Sequence, residues 1–212
     1  MSAGLAQRLW DGNADLMRAA LTHPFIRGIA TGDLPQARFA EYVAQDAYFL
    51  DAFSRAYALA LAHSPDRDGL EAFARLLAGV LDELRLHASY AARWHIDLDA
   101  VRPLPATTAY TGFLLSTASR GDAGETCAAL TPCMRLYAWL GQELARAPRL
   151  DGNPYAEWIA TYGGADFAAL VSELERLLDR YAETSDAVRG TYRQAMELEV
   201  AFFDAHLPSA AR

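Results

Sequence analysis

Residues 39–53 read FAEYVAQDAYFLDAF. Tyr42, Asp46, Phe49 and Phe53 recur at i, i+4, i+7 and i+11, which is one face of a helix of ~3.6 residues per turn. That face is aromatic except for one carboxylate. The same periodicity extends outward in both directions and predicts a long helix over 36–63. The sequence SPDRDG at 64–69 ends it, and further helical patterns follow over 70–94, 107–119, 123–146, 154–161, 167–183 and 185–206. Toward the N-terminus, Leu5, Leu9, Leu16 and Ala20 share one face of an opening helix. GDLP at 32–35 is a turn, with Pro35 suited to a first helical position. Thr184 or Ser185 is placed to cap the last helix, and IDLDAVRPLP at 96–105 reads as a loop with two prolines. No stretch alternates with period two, so no sheet is expected. The expected fold class is all-α: residues 1–212 form one helical-bundle domain whose short connections favour antiparallel neighbours.

Composition removes several function classes. The net charge is −8 and no basic cluster occurs, which argues against a nucleic-acid partner. All 19 basic residues are arginine. Without lysine there is neither a Schiff-base nucleophile nor a P-loop. The N-terminal stretch lacks the apolar core of a signal peptide, and no run reaches the ~18 apolar residues of a membrane span. No membrane partner is therefore expected, and the expected compartment is the cytoplasm. The two cysteines, Cys127 and Cys133, lie ~240° apart on a continuous helix and should not bond to each other.

A bundle builds its site from polar side chains on apolar faces. Asp46 is one such group. Buried without a partner it would cost several kcal/mol, so it needs a partner, a ligand or a raised pKa, unless it turns aside to solvent. Cys133 is another. In LTPCMRLYAWLG at 130–141 it shares a face with Leu130, Leu136, Tyr137 and Leu140. Pro132 implies either a kink or a fresh helix start capped by Thr131, and a fresh start would favour the thiolate. The competing reading is a cysteine packed as a small hydrophobe. The third is Glu199, on a face with Tyr192, Ala195, Met196, Phe202 and Phe203, while Glu197 points to solvent. A carboxyl among aromatic rings is the pattern for acid–base work, although a core-edge glutamate paired with arginine would look the same. Tyr110 and Tyr162 each precede a small residue and can line a pocket. Glu83 and His87 sit at i, i+4. The di-iron motif of bundles needs Glu-x-x-His at i, i+3 and needs it twice, so no metal site is expected and the pair reads as a local hydrogen bond.

These stretches resemble, in order along the chain, those of the TenA or thiaminase II family. HPFIRGIATGDL at 23–34, FAEYVAQDAYFLDAF at 39–53, Glu83 with His87, TAYTGFLL at 108–115, LTPCMRLYAWLG at 130–141, YAEWIATY at 155–162 and LEVAFFDAH at 198–206 carry the resemblance. It implies a heme-oxygenase-like fold without a cofactor, usually as a homotetramer. It implies a hydrolase that cuts the bond from a pyrimidine methylene to its leaving amine, in thiamin or in 4-amino-5-aminomethyl-2-methylpyrimidine, within thiamin salvage. It also implies roles. Cys133 is the nucleophile of the cysteine-containing branch, Asp46 holds the aminopyrimidine edge, and Glu199 is the acid–base group. Tyr110, Tyr137 and Tyr162 line the pocket. Phe49 departs from members that carry tyrosine there, losing a hydroxyl contact while keeping a ring to stack. Two other readings stay open on this fold: an oxidase or oxygenase, cofactorless or di-iron, and a non-catalytic pyrimidine-binding regulator.

Overall fold

The helical fold class is realised: the computed structural model describes residues 3–94, 96–98, 100–146 and 152–207, and among them every regular element is an α-helix. The opening segment differs from the single helix expected. It divides into α1 (Leu5–Asp11), α2 (Ala14–Thr22) and α3 (Pro24–Thr31). Local chemistry explains both breaks. The Asn13 side chain donates to the Leu9 carbonyl at 2.8 Å and takes up an acceptor left free at the end of α1. Pro24 has no N–H to continue α2, and His23 caps α3 instead, its Nδ1 accepting from the Phe25 amide at 3.2 Å. The GDLP turn begins at Gly32, whose φ of 78° is open to glycine at little cost.

Next come the long helices α4 (Gln36–Ala62) and α5 (Arg67–Trp94), then α6 (Pro105–Ser119) and α7 (Ala123–Ala145). The chain ends with α8 (Ala156–Gly163), α9 (Ala165–Tyr181) and α10 (Asp186–Asp204). Pro35 stands one residue before α4, as its cap, and Ser185 caps α10 by accepting from the Val188 amide at 3.2 Å.

Two packing centres hold these helices. α4 lies against α5 and α6, and α7 lies against α8, α9 and α10. Buried side chains from Leu5 to Phe203 form one continuous core. α7 meets α8 at a glycine pair. A Cβ on Gly141 would stand 2.6 Å from the Tyr162 carbonyl carbon, so only glycine lets the two backbones approach this closely. The approach matters because it seats the buried Tyr162 in the interior.

Candidate active site

Six helices each send a polar group into the same interior region. Asp46 comes from α4, Glu83 and His87 from α5, Tyr110 from α6, Cys133 from α7, Tyr162 from α8 and Glu199 from α10. The carboxylate expected to need a partner has one. Asp46 is buried and meets His87 Nε2 at 2.7 Å, while His87 Nδ1 reaches the backbone carbonyl of Glu83 at 3.0 Å. Both ring nitrogens therefore face acceptors, an arrangement that favours imidazolium. Burial opposes the charge on His87, but the hydrogen bond and charge of Asp46 outweigh it and raise its pKa to about 9. The local contact expected between Glu83 and His87 exists, but it uses the Glu83 backbone. The Glu83 side chain takes another partner, accepting from the Tyr162 hydroxyl at 2.5 Å.

Glu199 is also buried, and it is not paired with arginine. Tyr110 donates to its Oε1 at 2.6 Å, and the Cys133 thiol interacts with the same carboxyl. Burial pushes its pKa to about 8, with Tyr110 and Cys133 pulling the other way. Glu83 rises to about 7, again chiefly by burial, with the charge of His87 opposing. Two carboxyl groups thus hold protons near neutral pH within reach of one thiol's electrostatic field.

At Cys133 one of the two readings of Pro132 falls away, the fresh helix start. α7 runs through Pro132 without a new start, and its N-cap is Asp122, which accepts from the Glu125 amide at 2.6 Å. Thr131 caps nothing. Its hydroxyl donates to the Cys127 carbonyl one turn back, at 2.7 Å. α7 therefore presents no N-terminus to Cys133. Burial, followed by the negative fields of Glu199, Glu83 and Asp46, holds the thiol far above its ordinary pKa. Reactivity at this sulfur requires a base to take its proton as it attacks, not a standing thiolate. Both cysteines are free, as their spacing predicts.

Aromatic rings wall the region. Phe49 lies 4.7 Å from Tyr110, 5.4 Å from Phe53 and 5.9 Å from Phe202. Tyr137 lies 4.9 Å from Tyr162. Sequence reasoning missed a hydrogen-bond chain here: Trp158 Nε1 donates to the Tyr42 hydroxyl at 3.3 Å, which donates to that of Tyr137 at 3.2 Å. It also missed Tyr57, which is fully buried, lies near enough to Cys133 to be coupled to it, and has a hydroxyl with no partner among the described residues. Tyr57 lies one helical turn beyond Phe53, on the face already marked by Asp46, and that spacing was the available signal. Of the other histidines, His206 is buried just after α10 and burial lowers its pKa to about 4. His23 meets Asp204 at 3.0 Å. His95 is outside the described residues. Among the described residues no group of three or more His, Cys, Asp or Glu side chains is arranged to hold a metal ion, and no helix is long and apolar enough to cross a membrane.

Fold and site together define an all-α protein with a buried centre of one cysteine and several carboxyl groups, walled by aromatic rings. The chain belongs to the TENA/THI-4/PQQC family, whose model matches residues 10–209. It is 37% identical over 208 residues to the mitochondrial bifunctional TH2 protein of Arabidopsis thaliana, covering 86% of this chain and 34% of that longer protein. This chain therefore spans about a third of that relative. It is 33% identical over 183 residues to the aminopyrimidine aminohydrolase of Halalkalibacterium halodurans, covering 84% of this chain and 82% of that enzyme. Among solved structures it resembles a TenA family transcription regulator from Silicibacter, with a TM-score of 0.89, 32% identity and 96% of each chain covered. A Shewanella denitrificans domain with a heme oxygenase-like fold superposes with a TM-score of 0.76 at 18% identity, over 94% of this chain and 90% of that one, a likeness of fold alone.

Proposed function

We propose that this protein is an aminopyrimidine aminohydrolase of the thiaminase II type. It hydrolyses 4-amino-5-aminomethyl-2-methylpyrimidine, thiamin or both to the hydroxymethylpyrimidine, in thiamin salvage. The observation that carries the reading is the buried Glu199 carboxyl, held by the Tyr110 hydroxyl and interacting with the Cys133 thiol. A relative of similar length, 33% identical, bears the name of this activity. The family model also spans other members, so the choice within it rests on these residues.

The chemistry follows from the geometry. Asp46, locked by His87, presents a carboxylate that accepts from the exocyclic amino group of an aminopyrimidine. Phe49, Tyr110, Tyr137 and Tyr162 offer flat walls for the ring. Sγ of Cys133 attacks the ring carbon next to the one bearing the methylene. The thiol proton passes to Glu199, and Glu199 delivers a proton to the adjacent ring nitrogen, which explains the use of a carboxyl with a pKa of about 8 at this position. The S–C bond forms, aromaticity is lost, and the electron pair gained by the ring expels the leaving nitrogen. Water then adds at the methylene, and the C–S bond breaks to restore the aromatic ring and the thiol. Phe49 stacks but supplies no hydroxyl, so its contribution is to packing alone.

Wild type and Cys133→Ser are to be compared on both pyrimidine substrates. Turnover by the wild type with a loss of at least ~100-fold in the variant supports the reading. An inactive wild type, or an unimpaired variant, refutes it. The reading includes assembly as a homotetramer, which light scattering tests.

A further inference from the structure

A cavity of about 450 Å³ opens between α5, α7, α8 and α9. Its walls are mostly apolar, with Val80, Met134, Phe167 and Leu170, and no arginine lines it. Glu83, whose charge acts on Cys133, also lines it, so the cavity reaches the edge of the site. Three carboxyl groups act on the Cys133 sulfur: Glu199, Glu83 and Asp46. Of these, Glu83 alone lines the cavity. It is also less buried than the other two, so its carboxyl stands between the enclosed centre and open space.

Attack and departure occur at different atoms of the substrate, and they need separate proton carriers. Glu199 is occupied on the attack side by Tyr110 and Cys133, and Asp46 is occupied by His87. Glu83 has Oε1 engaged by Tyr162, and no described group bonds its Oε2. We propose that Glu83 is a further catalytic residue, which delivers a proton to the leaving nitrogen while the adjoining cavity receives the released amine. The proposal rests on the hydrolase reading above. When the C–N bond breaks, its electron pair goes to nitrogen. The Glu83 O–H bond breaks, the proton moves to nitrogen and ammonia departs, leaving Glu83 as carboxylate. The water that follows gives its hydroxide to the methylene and its proton back to Glu83, and the cycle closes.

The groups facing Glu83 are known. His87 and Asp82 lie on its own helix, Asp46 on α4, Cys133 on α7, Tyr162 on α8 and Asp166 across the cavity on α9. The neutral phenols of Tyr42 and Tyr57 also feel its charge. Only His87 among these is cationic, and its pKa of about 9 keeps it so through the range where Glu83, at about 7, titrates.

The test is ammonia release from the aminomethylpyrimidine by wild type, Glu83→Gln and Glu83→Asp across pH, with thermal melts to confirm folding. The amide keeps an acceptor for Tyr162 but carries no transferable proton. The expected result is a fall in kcat of ~100-fold for Glu83→Gln with KM within ~3-fold, loss of the pH dependence near 7, and recovery of at least ~10-fold in Glu83→Asp. Activity of Glu83→Gln within ~3-fold of wild type overturns the proposal. So does a loss that keeps the wild-type pH profile, since that marks a structural role. A wild type that releases no ammonia defeats the hydrolase reading itself, whereas an active wild type with an indifferent Glu83→Gln defeats this proposal alone.

Discussion

Replacing His87 by phenylalanine tests the electrostatic frame of the site. The phenyl ring fits the space and keeps the edge contact to Tyr90, 6.1 Å between centroids, but it removes both hydrogen bonds. Asp46 is then a buried carboxylate without its cation. The size of the effect follows from the structure. His87 is buried, and its pKa rises from an ordinary 6.5 to about 9. At about 1.4 kcal/mol for each tenfold gain in proton affinity, the folded state gains about 3 kcal/mol from the bound proton. That agrees with the ~3–5 kcal/mol lost when one partner of a buried pair is removed. The sign is fixed by linkage. The folded chain keeps this proton up to about pH 9, while the unfolded chain releases it near 6.5. The stabilisation is therefore complete below the unfolded value and disappears as pH rises through the folded one. Glu199, held protonated above its ordinary range, also lowers stability as pH rises, but it does so in both proteins and largely cancels; Glu83 loses the opposing charge of His87 in the variant, so its pKa rises further there. Urea unfolding followed by far-UV circular dichroism, at about pH 6 and about pH 9.5, should give a stability gap near 3 kcal/mol that narrows at the higher pH. Asp46→Asn added to His87→Phe should restore part of the loss, because the unpaired charge is gone. A gap equal at both pH values refutes the imidazolium assignment.

Other consequences are measurable in the same material. Tyr110→Phe removes the donor that lowers the Glu199 pKa from Oε1, so the upper step of the alkaline limb, which belongs to Glu199, should move above about 8 while the step near 7 stays, with kcat down by ~10-fold. A pH–rate profile reads both, and an unmoved limb would detach Tyr110 from the acid–base group. Gly141→Ala places a methyl 2.6 Å from the Tyr162 carbonyl carbon, which must push α8 outward. It should cost ~1–3 kcal/mol in denaturation and reduce turnover by misplacing Tyr162, and a variant of wild-type stability and activity would contradict the close approach. Cys133 should alkylate slowly at neutral pH in the ligand-free protein, at under a tenth, roughly, of the rate of an unperturbed thiol. Mass spectrometry after iodoacetamide treatment measures this, and rapid labelling would revive the thiolate that the helix-start reading predicted.

The helical fold class and the identity of the inward-facing polar groups were already determined by the sequence. An aromatic face carrying one carboxylate, repeated at Asp46 and Glu199, marks a bundle interior whatever the partners are, because periodicity fixes direction within a helix. Cys133, Tyr110 and Tyr162 were candidates on their own faces, and the ordered motifs added the family and the pocket role of Tyr137. Pairings between helices were beyond that reach, since they depend on how rigid elements dock. Residues 41 positions apart join Asp46 to His87, and 79 positions separate Glu83 from its tyrosine partner. Glu83 passed for a local partner of His87 because a spacing of four shows only which face two residues share. Tertiary packing turned its side chain to Tyr162 and the cavity, and left the bond to His87 with the backbone. The state of the thiol was likewise a tertiary matter. A proline before Cys133 left a kink or a fresh helix start open, and α7, packed against α8, α9 and α10, runs on through Pro132. Burial among carboxyl groups then raises the pKa that a free helix N-terminus would have lowered.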